Sequence, residues 1–276
     1  YLTTAQIAGL TTAQARALTS AQLGVLTTTQ LGSMETADFA ALAASTLAGL
    51  QSVKIATLST DQVVALTTAP AAALTTSQLA ALTSTQLLSL ETNDLKALTV
   101  AQFGSLSSTV LGTLNTSQVS GLSSTQVGTL KSTQLSGLST SQVAALSAVG
   151  MGLLSTSAVL SLSTAQITAL TTAQAAALTA TQTVVLTTAQ TAAISAEDLA
   201  VMKVSSVVSL GSANVKTLST SQIAALTTAQ VAALSTQQIA SLTSSQVAAM
   251  ETRDVAVLTK SQLPVLSTAQ LSALST

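Results

Sequence analysis

Three pairs of acidic residues are the side chains whose types and spacing most suggest a chemical role. Each pair is a glutamate followed three residues later by an aspartate: Glu35 with Asp38, Glu91 with Asp94, and Glu251 with Asp254. Carboxylate oxygens are preferred ligands of Ca²⁺, so the pairs are weak candidates for a calcium site. However, two carboxylates fall short of the roughly six ligands that Ca²⁺ takes, and both acids stabilise the positive end of a short helix. We therefore interpret them as helix-capping residues and predict no bound metal or other cofactor.

Catalytic constellations are missing from the sequence. The chain of 276 residues has no His and no Cys, so a Ser or Thr nucleophile would need a Lys or a carboxylate as its base, and the lysines are isolated from one another. The glycines are dispersed in phase with a repeat rather than gathered into a phosphate-binding loop. We predict that the protein is not an enzyme.

Charge and hydropathy exclude two classes of partner. The net charge is −1 and the eight basic residues are scattered, whereas nucleic acids and acidic membrane surfaces require clustered positive charge. No run of about 18 apolar residues occurs, because Ser, Thr or Gln interrupts every segment. We expect neither nucleic-acid binding nor membrane insertion.

An eight-residue repeat must position whatever function the chain has. Every eighth residue from Leu2 to Leu274 is a large aliphatic residue, and the intervening motif resembles L-T-T-A-Q-V-A-A throughout. A motif this short cannot enclose a core alone, so successive copies must stack on one another. We predict a single continuous octapeptide-repeat solenoid over residues 1–276.

The pattern inside each octad predicts a short capped helix. With the aliphatic anchor as position 1, position 2 is mostly Ser or Thr, and position 5 is Gln in 22 of 34 copies. This is the spacing of a capping box, which predicts an N-cap at position 2 and a helix from position 3 to the next anchor. Ten of the twelve glycines occupy positions 7 or 8, near the expected helix end, where tight packing or a left-handed C-cap favours glycine.

Charged residues serve as a tracer of exposure, since unpaired charges are almost never buried. They never occur at positions 1, 6 or 8, which we therefore predict to be the buried set. Position 5 is predicted to be solvated, because five of its copies are charged: Asp38, Lys54, Asp94, Asp198 and Asp254.

The main alternative is a β-solenoid with sixteen-residue coils. Thr-rich runs and Val at position 6 favour strands, whereas the abundant Ala, Gln and Leu favour helices. Pro264, at position 7, would remove an amide donor from a helix interior and counts against the helical interpretation, while Pro70 lies in a first turn and is harmless. We predict an all-α solenoid of short capped helices, one per octad.

The stretches Leu218-Ser-Thr-Ser-Gln-Ile-Ala-Ala-Leu226 and Leu226-Thr-Thr-Ala-Gln-Val-Ala-Ala-Leu234 resemble the octapeptide arrays of very large secreted or surface-anchored bacterial proteins. Those proteins are adhesin-like and are often labelled haem-utilisation proteins. The resemblance covers the whole chain and implies an extracellular or cell-surface location and an elongated, structural role. It carries over no functional residue, and haem binding is unsupported because the chain offers no His or Cys ligand.

We accordingly expect a structural rod or filament. The first and last octads are consensus-like rather than polar caps, so either the chain is an excerpt of a longer array or successive subunits self-associate end to end as a homopolymer, which is what we expect. The alternative is an adhesive surface on the Thr-rich face, at positions 2 and 3, that binds ice or a glycan.

Overall fold

The computed structural model describes residues 2–274, and over these residues it is helical without any β-strand. Thirty-three α-helices of four to six residues and one 3₁₀ helix occur, one per octad. Every α-helix begins at position 3 and has its N-cap at position 2, as the capping-box pattern predicts. The all-α solenoid is therefore confirmed, and the β-solenoid alternative is wrong. The α-helices end one to three residues before the next anchor rather than reaching it.

The chain divides into two compact units, Tyr1–Thr129 and Leu130–Thr276. The prediction of one continuous solenoid over residues 1–276 stays a prediction, and each unit is described by itself. The first contains α1 (Thr4–Ala8), α2 (Thr12–Arg16), α3 (Ser20–Val25), α4 (Thr28–Gly32), α5 (Thr36–Ala40), α6 (Ala44–Ala48), α7 (Ser52–Ile55), α8 (Thr60–Val64), α9 (Thr68–Ala73), α10 (Thr76–Ala80), α11 (Ser84–Ser89), α12 (Thr92–Ala97), α13 (Val100–Phe103), α14 (Ser108–Leu111), α15 (Thr116–Ser120) and α16 (Ser124–Gly128).

The second unit has the same construction. It contains α17 (Ser132–Ser136), α18 (Thr140–Ala145), α19 (Ala148–Leu153), α20 (Thr156–Leu160), α21 (Thr164–Thr168), α22 (Thr172–Ala177), α23 (Ala180–Thr183), α24 (Thr188–Ala192), α25 (Ala196–Val201), α26 (Val204–Val208), α27 (Ser212–Thr217), α28 (Thr220–Ala224), α29 (Thr228–Ala233), α30 (Thr236–Ser241), α31 (Ser244–Ala248), α32 (Thr252–Ala256), the 3₁₀ helix (Leu263–Val265) and α33 (Thr268–Ala273).

Within each unit, a helix packs on the helix three octads earlier. In the first unit α5, α8 and α11 stack in this way, as do α6, α9 and α12. In the second, α19 packs on α22 and α22 on α25, while α20, α23 and α26 form another stack. One coil therefore comprises three consecutive helices, or 24 residues. Because a two-turn helix is unstable alone in water, this lateral packing is what holds each helix in place.

The core is built from positions 1, 5 and 6. Most side chains at position 6 are almost completely buried, as Phe39, Leu79 and Val143 show, and most anchors are only slightly more exposed; Leu2, Leu263 and Leu271 are exposed. Position 8 is mostly half-buried, so its predicted place in the buried set is wrong. The predicted solvation of position 5 is also wrong: Asp38, Asp94, Asp198, Asp254 and most of the position-5 glutamines of residues 2–274 are buried, and Lys54 is half-buried.

Glycine serves close packing rather than a left-handed helix end. No residue from 2 to 274 has a positive φ, so none of the described C-caps is left-handed; where the anchor itself is the C-cap it is extended, as at Leu26 and Leu146, except at Leu274. A Cβ on Gly121 would lie 1.9 Å from the Thr92 side chain, and one on Gly152 would lie 2.9 Å from the Ala177 carbonyl oxygen. The predicted left-handed cap is wrong, whereas the packing reason holds at these two positions.

Proline has the local effect expected of it. Pro264 replaces the α-helix of its octad with the short 3₁₀ helix Leu263–Val265, because it supplies no amide hydrogen. Pro70 lies in the first turn of α9, which forms normally. The damage at Pro264 stays local, since Gln262 still donates to Leu234 O at 2.7 Å.

Candidate functional site at the joint between coils

The glutamine at position 5 first closes the N-terminus of its own helix. In α29 the Thr227 N–H donates to Gln230 Oε1 at 2.8 Å, and the Gln230 N–H donates to Thr227 Oγ1 at 3.2 Å. In α8 the same reciprocal pair joins Ser59 and Gln62 at 3.1 Å in both directions. The first N–H groups of a helix have no intrahelical acceptor, so this box satisfies donors that would otherwise be orphaned.

The other end of the same amide binds the coil beneath. Gln230 Nε2 donates to Leu199 O and to Met202 O, each at 2.9 Å. These carbonyls belong to the last turn of α25 and to the anchor that leads into α26, the helix on which α29 packs. Gln62 Nε2 makes the equivalent bonds to Leu31 O at 2.9 Å and Met34 O at 3.1 Å. One side chain thus caps the start of its own helix and the end of an earlier one.

This joint satisfies a buried amide completely. A Gln amide has one acceptor oxygen and two N–H donors, and at Gln230 and Gln62, both 1% exposed, all three are used. A buried polar group without partners is destabilising, whereas a satisfied one fixes the register of the groups it joins. The acceptor anchor lies 28 residues before the glutamine at every such joint, for example in Gln126, Gln174 and Gln246.

Four of the twelve residues that replace glutamine at position 5 keep the donor. Ser206 Oγ donates to Leu178 O at 2.8 Å, and Asn214 Nδ2 donates to Leu186 O at 2.8 Å. Thr46 Oγ1 and Lys54 Nζ donate to anchors at 3.1 Å and 2.6 Å, respectively. All four acceptors again lie 28 residues earlier. At these four positions another hydrogen-bond donor directed at the anchor carbonyl takes the place of glutamine, whereas Pro70, Val110, Gly150 and Ala158 offer no side-chain donor.

The six candidate calcium ligands split between surface and interior. Glu35, Glu91 and Glu251 are exposed N-caps of α5, α12 and α32, whereas the partner aspartates occupy the joint and are at most 3% exposed. Glu251 N–H donates to Asp254 Oδ2 at 3.3 Å, as in a capping box. Among residues 2–274 no three acidic side chains gather as a metal site would require.

Burial controls the ionisation of three of the joint aspartates. Loss of hydration raises the pKa of Asp94, although a 2.9 Å bond from Thr68 Oγ1 partly opposes the rise. Burial also raises the pKa of Asp198 and of Asp254. Two carboxylate oxygens, Asp38 Oδ2 and Asp254 Oδ1, are buried and accept no hydrogen bond.

The glutamines of the first coil make only the capping-box half of the joint. Gln6, Gln14 and Gln22 form the capping box of their own helices. All three are exposed, and none of them donates to another coil within residues 2–274. Comparison with the buried glutamines of later coils shows that burial at position 5 results from stacking and not from the capping box.

Short capped helices, three per coil, are joined by the buried polar side chains of position 5, and we call each such joint between coils a clasp. This architecture defines the class as an α-solenoid repeat protein. The ALTTAQ repeat family matches residues 1–34, 31–68, 87–124, 191–228, 207–244, 224–252 and 247–276, which together are more than half of the chain. The chain therefore belongs to the ALTTAQ repeat family. No curated protein matches it significantly. Over residues 2–274, no helix has the length and apolar character needed to span a membrane.

Proposed function

We propose that the protein is a non-enzymatic structural element, an extracellular or cell-surface rod or filament built by stacking octads. The observation that carries the proposal is the repetition of one joint: the position-5 donor binds the coil beneath it in octad after octad of each unit. The polar side chains at position 5 bind the neighbouring coil, and the chain has neither His nor Cys, the usual catalytic side chains. In a solenoid of this kind, stability is approximately a sum over neighbouring repeats, which suits a load-bearing or spacing role.

End-to-end self-association is the second part of the proposal. Gln6, Gln14 and Gln22 carry at position 5 the same amide donors that join coils elsewhere in the chain. A second copy that presents its anchor carbonyls to them would extend the stack by a head-to-tail contact, and such a contact does not close on itself.

Negative-stain microscopy of the purified chain, together with its intact mass, tests this function. We expect thin fibres of uniform width whose length grows with protein concentration. The triple variant Gln6→Ala, Gln14→Ala, Gln22→Ala should shorten or abolish them, while Gln237→Ala, at an exposed position 4, should leave them unchanged. Monodisperse short particles at high concentration would show that the protein does not polymerise.

Binding of ice or a glycan is the second candidate. It is favoured by hydroxyls at position 3, such as Thr60, Thr140 and Thr188, which are exposed in their helices, whereas the N-cap hydroxyls at position 2 already accept from the backbone. Thermal hysteresis or glycan-array binding that disappears when these threonines are replaced by larger residues would support it.

A further inference from the structure

We propose that Asp198 makes its joint a proton-dependent clasp, in which the carboxyl group closes the contact between coils only when it is protonated and donates to Leu170 O. The proposal concerns contacts within one chain, so it is independent of filament formation. It makes the strength of the stack a function of pH.

Asp198 occupies the clasp position in the second unit. It lies at position 5 of α25, is 4% exposed, and follows the anchor Leu170 by the same 28 residues that separate every clasp donor from its acceptor. Its helix start is formed normally, because the Asp198 N–H donates to Ser195 Oγ at 3.0 Å. This joint differs from the glutamine joints because its side chain ends in a carboxyl group rather than an amide.

Asn214 shows that a side chain of this length spans the joint. Asn and Asp have the same shape, and Asn214 Nδ2 reaches Leu186 O at 2.8 Å. A protonated carboxyl has an O–H where Asn has an N–H, so it can make the same bond. An ionised carboxylate only accepts hydrogen bonds; directed at a carbonyl oxygen, it leaves that acceptor unpaired and places two negative oxygens together. The joint is therefore closed by the acid form and weakened by the anion.

No positive charge faces Asp198 to hold it ionised. α25 packs on α22 and α28, and Leu170 directly follows α21; these described helices contain no Asp, Glu, Lys or Arg. The nearest charge along its own helix is the exposed Glu197, which has the same sign. Burial raises the pKa of Asp198, the Ser195 hydroxyl partly opposes this, and Glu197 adds to it.

The sign of the effect follows by linkage. Because the folded-state pKa lies above the ordinary value of 3.8, the clasp contributes its full stability below that value. The contribution is lost as the pH rises through the folded-state pKa. Within this window the unfolding equilibrium constant changes by up to about tenfold per pH unit.

Three other aspartates, Asp38, Asp94 and Asp254, are buried at the same position. The oxygens Asp38 Oδ2 and Asp254 Oδ1 have no hydrogen-bond partner, whereas Asp94 Oδ1 accepts from Thr68 Oγ1. At Asp254 the exposed Arg253 lies 3.9 Å from Oδ1, and Glu251 forms an ion pair with the same guanidinium, so Asp198 is the cleaner site for a test.

The experiment is urea unfolding of the full chain, followed by circular dichroism between pH 7 and pH 3.5, with each variant compared with the unmodified protein at every pH. Asp198→Asn should raise the unfolding midpoint at pH 7 and merge with the unmodified protein at acid pH. Asn214→Asp should have the opposite effect: its unfolding midpoint should be lower than that of the unmodified protein at pH 7 and should return to it on acidification. Glu197→Gln, which neutralises the exposed neighbour, should keep most of the pH dependence.

Three results would overturn the proposal. One is an Asp198→Asn variant that is no more stable than the unmodified protein at pH 7. Another is an Asn214→Asp variant whose midpoint relative to the unmodified protein does not change with pH. The third is a stabilisation at pH 7 by added CaCl₂ that Asp198→Asn abolishes, because it would mean that the carboxylate stays ionised and holds a cation instead. Since all these measurements use dispersed protein, their outcome does not depend on whether filaments form.

Discussion

Replacement of Gln230 by methionine measures the value of one joint. Met has nearly the length and volume of Gln, so the change removes polar atoms without leaving a cavity. Three bonds are lost: Thr227 N–H to Oε1 at 2.8 Å, and Nε2 to Leu199 O and Met202 O at 2.9 Å each. Leu199 O keeps the Met202 N–H at 3.3 Å, whereas Met202 O loses the glutamine donor. At about 1 kcal/mol net per bond, we expect a loss of about 2–4 kcal/mol.

Gln6→Met is the matched control for this prediction. Gln6 has the same capping box, with Thr3 N–H donating to its Oε1 at 2.8 Å, but it is exposed and makes no bond to another coil within residues 2–274. Water can replace the lost partner there, so the cost should be below about 1 kcal/mol. Urea unfolding gives the stabilities, and hydrogen exchange should locate the Gln230 defect at the end of α25 and the start of α26. Equal costs for the two variants would refute the inter-coil role of the glutamine.

Three further predictions follow from packing. Gly152→Ala should destabilise by about 1–3 kcal/mol in thermal unfolding, because the new Cβ would meet the Ala177 carbonyl oxygen at 2.9 Å, while Gly32→Ala, with nothing within 4 Å, should be neutral or stabilising. Thr191→Val should stabilise by about 1 kcal/mol, because Thr191 Oγ1 is buried without a partner, while Thr183→Val should destabilise, because Thr183 Oγ1 donates to Ser206 O at 2.8 Å; the same sign for both would contradict this reasoning. Deletion of residues 210–233, three whole octads, should leave the helix content per residue by circular dichroism unchanged, whereas deletion of four residues should lower it, since only the former preserves the stacking of each helix on its partner.

The helix starts could be predicted from the sequence because they depend on local chemistry. The Ser or Thr at position 2 and the Gln three residues later form a box whose two bonds lie within a single turn, as Ser59 and Gln62 show. Every α-helix of residues 2–274 accordingly begins where the pattern predicts. The buried positions 1 and 6 could also be predicted, because position 1 is always a large aliphatic residue and position 6 is apolar except at Thr183 and Thr191.

The burial of position 5 could not be derived from charge alone. The prediction treated Asp38, Asp94, Asp198 and Asp254 as marks of solvent, yet all four are buried. A carboxyl can be buried when its pKa rises, and the acceptor at the joint belongs to a residue 28 positions earlier, beyond any local pattern. The acidic pairs were noticed, but as helix caps with a weak case for calcium, and no signal within one octad showed that their aspartates occupy the contact between coils.

One overlooked signal does reveal three octads per coil. Position 7 of every third octad is Ala or Gly in eleven of twelve copies, the exception being Ser272 in the last octad. These copies are Ala8, Gly32, Ala56, Ala80, Gly104, Gly128, Gly152, Ala176, Ala200, Ala224 and Ala248. The other two sets of octads place Arg16, Lys96, Val184 or Leu160 there. A search for a 24-residue period on top of the eight-residue one would have found it.

The clasp has a direction along the chain. In the glutamine joints the donor belongs to the later residue and the acceptor carbonyls to residues 28 to 31 positions earlier, as in Gln230 with Met202 and Leu199 and in Gln102 with Ala72. A polypeptide that emerges with its N-terminus first, from a ribosome or through a secretion pore, therefore always finds its acceptors already folded. Each new coil needs only about 30 residues of free chain before it can dock, so the completed coils act as a template and the unfolded length stays short and constant throughout synthesis.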